Sequence, residues 1–488
     1  MISTDLVGAA ADRPEDRLSS RAAIGALPDD VLLETFELYL GKDDTIEYDS
    51  DHNYDGWQTL AHVCHRWRCI VFASPRRLDL KLYCTGQRSA NSKTIDLWPE
   101  LPIVIFVNGE EDTTNVIAAL RQYDRVCKIV YQKVPFQDTL LKEFAAIDEP
   151  FPALTGLELS TFQNVSVLPN SFLGGSAPRL RSLDLYGIPY PSIGNLLSST
   201  TNLVRLFLRC IPHSGYISPE TIVPILSTLS RLESLILGFQ HPRSEAPRGT
   251  RHPPPLTRVV LPNLTFLYFK GNIEYLEDVL SQIETPLLDE TEFCFFNQLV
   301  FDTPLLAHFI RRTETFMKIY AARVEFFDST VGVTLSERDE TDDNDGEALE
   351  LRISCKSLDW QLSAVAQVLN TFLPSLPTLE SLGIEVPRED QQYEIEVTQW
   401  QEFLNPFTSV KDMTLESEES VRLIAPALQE LAGGGATAVL PALQNLFLKT
   451  DGWQPSGPVK EAIEQLISTR QLHDHPVTVH YEDIKSEG

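Results

Sequence analysis

Reading apolar against polar positions from the N-terminus, the chain has no regular pattern until Ala26. Residues 1–23 are polar, rich in Ala, Ser and Arg, and aperiodic, as a disordered lead-in would be. At Leu27-Pro28-Asp29-Asp30 a helix start appears. Proline suits the first helical position, where its missing N–H costs nothing, and two carboxylates face the positive end of the helix. Leu32, Leu33, Phe36 and Leu40 then fall on one face, and Gly41 stands where a C-terminal cap belongs. A second helix is expected from about Trp57 to Phe72, because Trp57, Leu60, Cys64, Trp67 and Val71 recur at spacings of three and four and Pro75 follows. Between the two lies an acidic insertion, residues 42–56, that reads as a solvated loop. So small a helical unit carries more apolar surface than it can hide, which leaves two readings open: a partner surface, or a cap on the domain that follows.

Beyond residue 90 the pattern changes to a recurring apolar triplet with spacing 1-4-6. It runs Val126/Ile129/Tyr131, Leu154/Leu157/Leu159, Leu180/Leu183/Leu185, Leu203/Leu206/Leu208, Leu232/Leu235/Leu237 and Leu264/Leu267/Phe269, then resumes as Leu379/Leu382/Ile384, Val410/Met413/Leu415 and Leu443/Leu446/Leu448. Successive starts from Val126 to Leu264 lie 28, 26, 23, 29 and 32 residues apart. That is within or just beyond the range of leucine-rich repeats, about 20–29 residues. In each repeat the fourth and sixth residues of the triplet point into the core, and the residues between them point to the opposite side of the strand. Segments 219–229 and 273–283 have helical periodicity and belong on the other face. Asparagine three residues beyond the triplet occurs only as Asn272, so the repeats are degenerate. The predicted fold class is therefore α/β: a small N-terminal helical domain (24–80), then an irregular leucine-rich-repeat solenoid (90–482) with parallel strands on the concave face and helices and loops on the convex face. A generic α/β domain with leucine-rich strands is the alternative.

Between Leu288 and Leu379 the triplets fade. Segments 313–327 and 348–360 are expected to supply two irregular strands, separated by an acidic flexible loop at 336–347. A second flexible loop, rich in proline, covers 240–255.

Composition narrows the function. With 40 basic and 69 acidic side chains the net charge is −29, which disfavours phosphate backbones and anionic membrane surfaces as partners. Seven scattered cysteines without a Cys-x-x-Cys pair fit reduced thiols rather than a disulfide framework or zinc ribbon. There is no apolar leader and no long apolar span, so a soluble chain of the cytoplasm, the nucleus or both is expected. No P-loop, dinucleotide fingerprint, nucleophile elbow or His-Glu-x-x-His helix occurs. His62, Cys64 and His65 lack a fourth metal ligand, and the His473, Asp474, His475 and His480 cluster shows no defined ligand spacing. The expectation is a non-enzyme without cofactor or metal.

The residue order Leu27-Pro28, two acids, Val31, Leu32, Phe36, then Leu60-x-x-Val63-Cys64-His65-x-Trp67 resembles the F-box, and in detail that of the large fungal F-box protein group. The resemblance covers residues 26–80, and the insertion at 42–56 departs from it. It implies docking on the Skp-type adaptor of a cullin–RING ubiquitin ligase through Leu27, Pro28, Val31, Leu32, Phe36, Leu60, Val63, Cys64 and Trp67. The repeats would then hold an unidentified protein substrate. The outward strand positions offer a candidate for that: Tyr186, Arg205, Phe207, Arg209, Phe266, Tyr268 and Lys270, preceded by Asp184 and followed by Phe447 and Lys449. Such a basic and aromatic column would suit an acidic or phosphorylated peptide; ordinary surface variation is the competing reading. A repeat scaffold without ligase association is the alternative function.

Overall fold

The computed structural model describes residues 27–41, 56–85, 100–108, 113–132, 143, 146–147, 149–162, 167–242, 258–337, 347–376, 378–386, 395–433, 439–449, 455–472 and 474–482. The lead-in at 1–23, residues 42–55 of the acidic insertion, 243–255 of the proline-rich loop and 338–346 of the acidic loop lie outside them. The chain forms two compact units, residues 1–106 with 112–127, and residues 107–111 with 128–488.

The first unit opens with α1 (Asp29–Leu40), α2 (Gly56–Val63) and α3 (His65–Ala73). Pro28 stands one residue before the position expected for it: its ψ of 153° is extended, and its carbonyl accepts from Leu32 N at 3.1 Å. Gly41, at φ 67°, ends α1 in the left-handed region that glycine enters without strain. The continuous helix expected over 57–72 is broken at Cys64. That residue is extended (φ −159°, ψ 169°), and its sulfur accepts from Trp67 N at 3.5 Å, so it caps α3. The break lets α2 bury Trp57, Leu60 and Ala61 while α3 buries Ile70 and Val71. Strands β1 (Leu82–Thr85) and β2 (Ile103–Asn108) pair in parallel, and α4 (Thr113–Leu120) follows.

The second unit is a mixed α/β body around a large, mostly parallel sheet. Its strands begin with β3 (Val126–Gln132), β4 (Gly156–Ser160), β5 (Ser182–Tyr186), β6 (Arg205–Ile211) and β7 (Ser234–Phe239). After β8 (Val259–Val260) come β9 (Phe266–Gly271), β10 (Ile283–Glu284) and β11 (Glu290–Phe295). Next are β12 (Ala321–Phe326), β13 (Thr330–Ser336) and β14 (Glu347–Ser354). The last are β15 (Ser381–Glu385), β16 (Asp412–Leu415), β17 (Asn445–Lys449) and β18 (Thr478–Glu482). Strand order is β3-β4-β5-β6-β7-β9-β11-β14-β13-β12-β15-β16-β17-β18, with β8 and β10 forming a separate parallel pair.

Between the strands lie α5 (Ile193–Leu197), α6 (Pro219–Leu226), α7 (Ile273–Gln282) and α8 (Pro304–Arg312). They are followed by α9 (Leu358–Phe372), α10 (Val397–Leu404), α11 (Glu418–Gly433) and α12 (Pro458–Leu472).

The triplets explain the sheet. Leu183, Leu206, Leu235 and Leu267 pair in register, as do Leu185, Leu208, Leu237 and Phe269, and all are buried. The first residue of each triplet, from Leu154 through Leu443, is buried as well. Because side chains alternate along a strand, burying this ladder fixes which residues face the other way.

Where the triplets fade, the structure departs from expectation. Four strands, β11 to β14, lie in the gap where two were expected, and β13 runs antiparallel to both its neighbours, β12 and β14. The chain leaves β11, lays down β12 three places along, returns as β13, and sets β14 against β11 before α9 leads to β15 beside β12. Residues 315–318 form a short 3₁₀ turn, and the end of the segment 348–360 already belongs to α9. Phe326 anchors the insertion edge-on against Trp400 and Phe403, at ring separations of 6.4 and 6.0 Å.

One helix start is completed from a distance. Thr303 makes no side-chain cap for α8; instead the buried carboxylate of Glu277 on α7 accepts from Leu305 N at 2.9 Å and Leu306 N at 2.6 Å. Leaving those two donors unmade in a buried setting is costly. Glu277→Ala is expected to lower stability by about 2–3 kcal/mol in a denaturant titration. A loss under about 0.5 kcal/mol, the level of an ordinary surface change, would contradict this capping role.

Candidate functional site

Two surfaces carry the residues singled out by sequence, one in each unit. In the first, Phe36 packs on Trp67 at a ring separation of 4.7 Å, and Trp57 meets Phe72 at 6.0 Å, edge to face. Trp57 Nε1 donates to Lys81 O at 2.9 Å. Arg66 ties α3 back to the start of α1 by donating from Nε to Asp29 Oδ1 at 2.9 Å and from Nη2 to Leu27 O at 2.5 Å.

These contacts sort the nine residues carried by the F-box resemblance. Leu32, Phe36 and Leu60 are buried within the described chain and Trp67 is half-buried. Leu27, Pro28, Val31, Val63 and Cys64 are exposed, Val63 by 56%. Sequence reasoning missed Leu38, which is 84% exposed. Seven residues after Val31, it continues the same helical stripe, a spacing that was there to be read.

In the second unit the outward positions of β5, β6, β7 and β9 align into rows. One row is Asp184, Phe207, Ile236, Tyr268; the next is Tyr186, Arg209, then Gly238 and Lys270. A third is Ser182, Arg205, Ser234, Phe266. Neighbouring strands stand about 4.8 Å apart, so the seven predicted residues do share one face.

Sequence did not reveal how they are wired. Arg209 donates from Nε to Asp184 Oδ1 at 3.2 Å and pairs with its other oxygen, while its guanidinium lies 5.9 Å from the rings of both Tyr186 and Phe207. Phe162, 76% exposed and not among the residues expected from sequence, packs on Tyr186 at 5.3 Å. Gly187 closes β5 at φ 69°, and a Cβ there would come within 2.3 Å of Thr161 O, so only glycine allows this close approach beside Tyr186. The Tyr186 phenol titrates above its ordinary value, through its hydrogen bond to Cys210 and then through burial.

Further along the sheet the cations are consumed internally. Arg323 pairs with Glu385 (2.7 Å) and Glu325 (3.1 Å), Arg352 with Glu350 (2.5 Å) and Glu292 (3.2 Å). Lys411 pairs with Glu380, and Lys449 with Glu416, each at 2.6 Å. Phe447 is stacked on His480 at 4.8 Å. Arg205 and Lys270, by contrast, make no ion pair with any described residue. Strands β5 to β9 are therefore where aromatic surface coincides with cations that form no ion pair with a described residue.

Among the described residues no three His, Cys, Asp or Glu side chains gather in a metal-holding group, and no helix is long and apolar enough to cross a membrane. No family model matches the chain, and no curated protein matches it.

Burial raises the Asp184 carboxyl to about 6 against the opposing pull of Arg209. A folded chain that holds this proton longer than the unfolded one gains stability below about pH 4 and loses it as pH rises through about 6. Asp184→Asn lacks that titration. Its stability relative to the parent is therefore expected to grow by about 2 kcal/mol between pH 4 and 7, read from denaturant midpoints across pH. A parent that gains on the variant as pH rises would show Arg209 outweighing burial.

Proposed function

We propose that this chain is the substrate-recognition adaptor of a Skp–cullin–F-box ubiquitin ligase, working in the cytoplasm, the nucleus or both. In this reading α1–α3 are an F-box that docks on a Skp-type adaptor, and the second unit is an irregular leucine-rich-repeat solenoid that holds the protein target. The observation that carries it is the exposure of Leu27, Val31, Leu38 and Val63 around a core of Leu32, Phe36 and Leu60. Exposed aliphatic side chains held on a packed helical frame are what a partner helix can bury. The chain itself performs no bond chemistry in this reading; it brings a target's lysines close to an enzyme carried by other subunits.

The outward rows of β5, β6, β7 and β9 are the target-binding surface. Tyr186, Phe207 and Tyr268 supply rigid aromatic area, and Arg205, Arg209 and Lys270 favour an acidic or phosphorylated segment. A second reading, a repeat scaffold without ligase association, draws on the burial of Leu32, Phe36 and Leu60, which gives those three a purely internal use.

Val31→Asp combined with Val63→Asp changes exposed positions only. It is expected to leave folding intact and to weaken co-purification with the Skp-type adaptor about thirtyfold or more. Tyr186→Ala with Phe207→Ala should spare adaptor capture and abolish recovery of targets in the same pull-down. Undiminished adaptor capture by the double aspartate variant would favour the scaffold.

A further inference from the structure

A second concentration of positive charge lies away from the sheet face, at the C-terminal end of α7. Three carbonyls there are left over by the helix, and arginines cover them. Arg312 of α8 donates from Nη2 to Leu280 O and Ile283 O, both at 2.6 Å, and its guanidinium lies 5.2 Å over the buried Phe309 ring. Arg258, just before β8, donates from Nε to Ser281 O at 3.2 Å and places Nη2 3.5 Å from His308 Nε2. Arg311 adds a further cation close enough to act on His308.

Helix capping alone does not account for this much charge. A helix C-terminus presents roughly half a negative charge, and among the described residues the carboxylate acting on Arg312 is that of Glu284. Burial and then Arg312, Arg258 and Arg311 hold His308 below its ordinary value, and burial and then Arg258 bring Arg312 down to about 10. His308 and Arg312 thus sit in a field that the neighbouring arginines make less favourable. In a chain of net charge −29, a cluster that repels itself needs a reason.

The donors are also held ready. Arg258 Nη1 and Arg312 Nε and Nη1 make no hydrogen bond with a described residue, while carbonyls and a ring fix both guanidinium planes. Planar guanidinium groups fixed in this way match an oxyanion better than flexible lysines do.

We propose that Arg258, His308 and Arg312 form a binding site for a phosphate group. The site is independent of the adaptor and target surfaces, and its ligand is either free phosphate or a phosphate carried on a protein side chain. His308 would contribute as the imidazolium once the dianion is bound.

The His308 ring resonances of the full chain provide the test, followed by NMR across pH. Titrations use inorganic phosphate, and in parallel a short phosphoserine peptide and its unphosphorylated twin, all against chloride at matched ionic strength. Saturating phosphate is expected to raise the His308 midpoint by about one pH unit. Arg258→Met should weaken binding about tenfold or more. Glu284→Gln, which removes the acidic neighbour without touching the donors, should tighten it about threefold or more, so a misfolded arginine variant cannot decide the matter. Tighter binding of the phosphopeptide than of inorganic phosphate places the group on a partner protein; equal binding marks a free phosphate ligand. A His308 midpoint that moves no further in phosphate than in chloride overturns the site.

Discussion

Everything exposed on the second unit is placed by what is buried beneath it. The leucine triplets pack at one level of the core from strand to strand, and a slip of one residue would turn each of them to solvent. That penalty is of the order of 2 kcal/mol for each large aliphatic side chain, repeated along the sheet. Register is therefore fixed by apolar burial, and the outward residues inherit an alignment they contribute little to. Tyr186 beside Arg209, and Gly238 beside Lys270, are consequences of Leu185, Leu208, Leu237 and Phe269 lining up behind them.

This division of labour decides what was legible in the sequence. The triplets, the helix at 29–40 and the helical segments near 219–229 and 273–283 are local patterns, and the structure carries them. The break at Cys64 was hidden because Trp57, Leu60, Cys64, Trp67 and Val71 keep helical spacing straight across it. Only the extended backbone of Cys64, capping the next helix with its own sulfur, reveals the two pieces. Strand β13 was missed because its short run, Thr330–Ser336, is defined by pairing with strands on both sides, and pairing order is not a local property.

Electrostatic wiring was the least readable. Arg209 and Asp184 are 25 residues apart and meet only because their strands are adjacent. The same holds for Arg323 with Glu385 and for Glu277 with the start of α8. A count of basic residues on outward positions therefore overstates the free positive charge, since cross-strand partners absorb most of it beyond β9. What remains, Arg205 and Lys270 among aromatic neighbours, is a narrower and better-defined surface than the sequence alone could mark out.

The helical unit poses the sharper question, because the residues of the F-box resemblance divide between core and surface. If α1–α3 are a docking module, a bound adaptor must cover the exposed stripe of Leu27, Val31, Leu38 and Val63 and leave the sheet face of the second unit untouched. Hydrogen–deuterium exchange of the full chain with and without a purified Skp-type adaptor measures this directly. The account predicts slowed exchange confined to peptides from 27–41 and 56–73. Unchanged exchange in those helices, or protection over β5 to β9 instead, would contradict it.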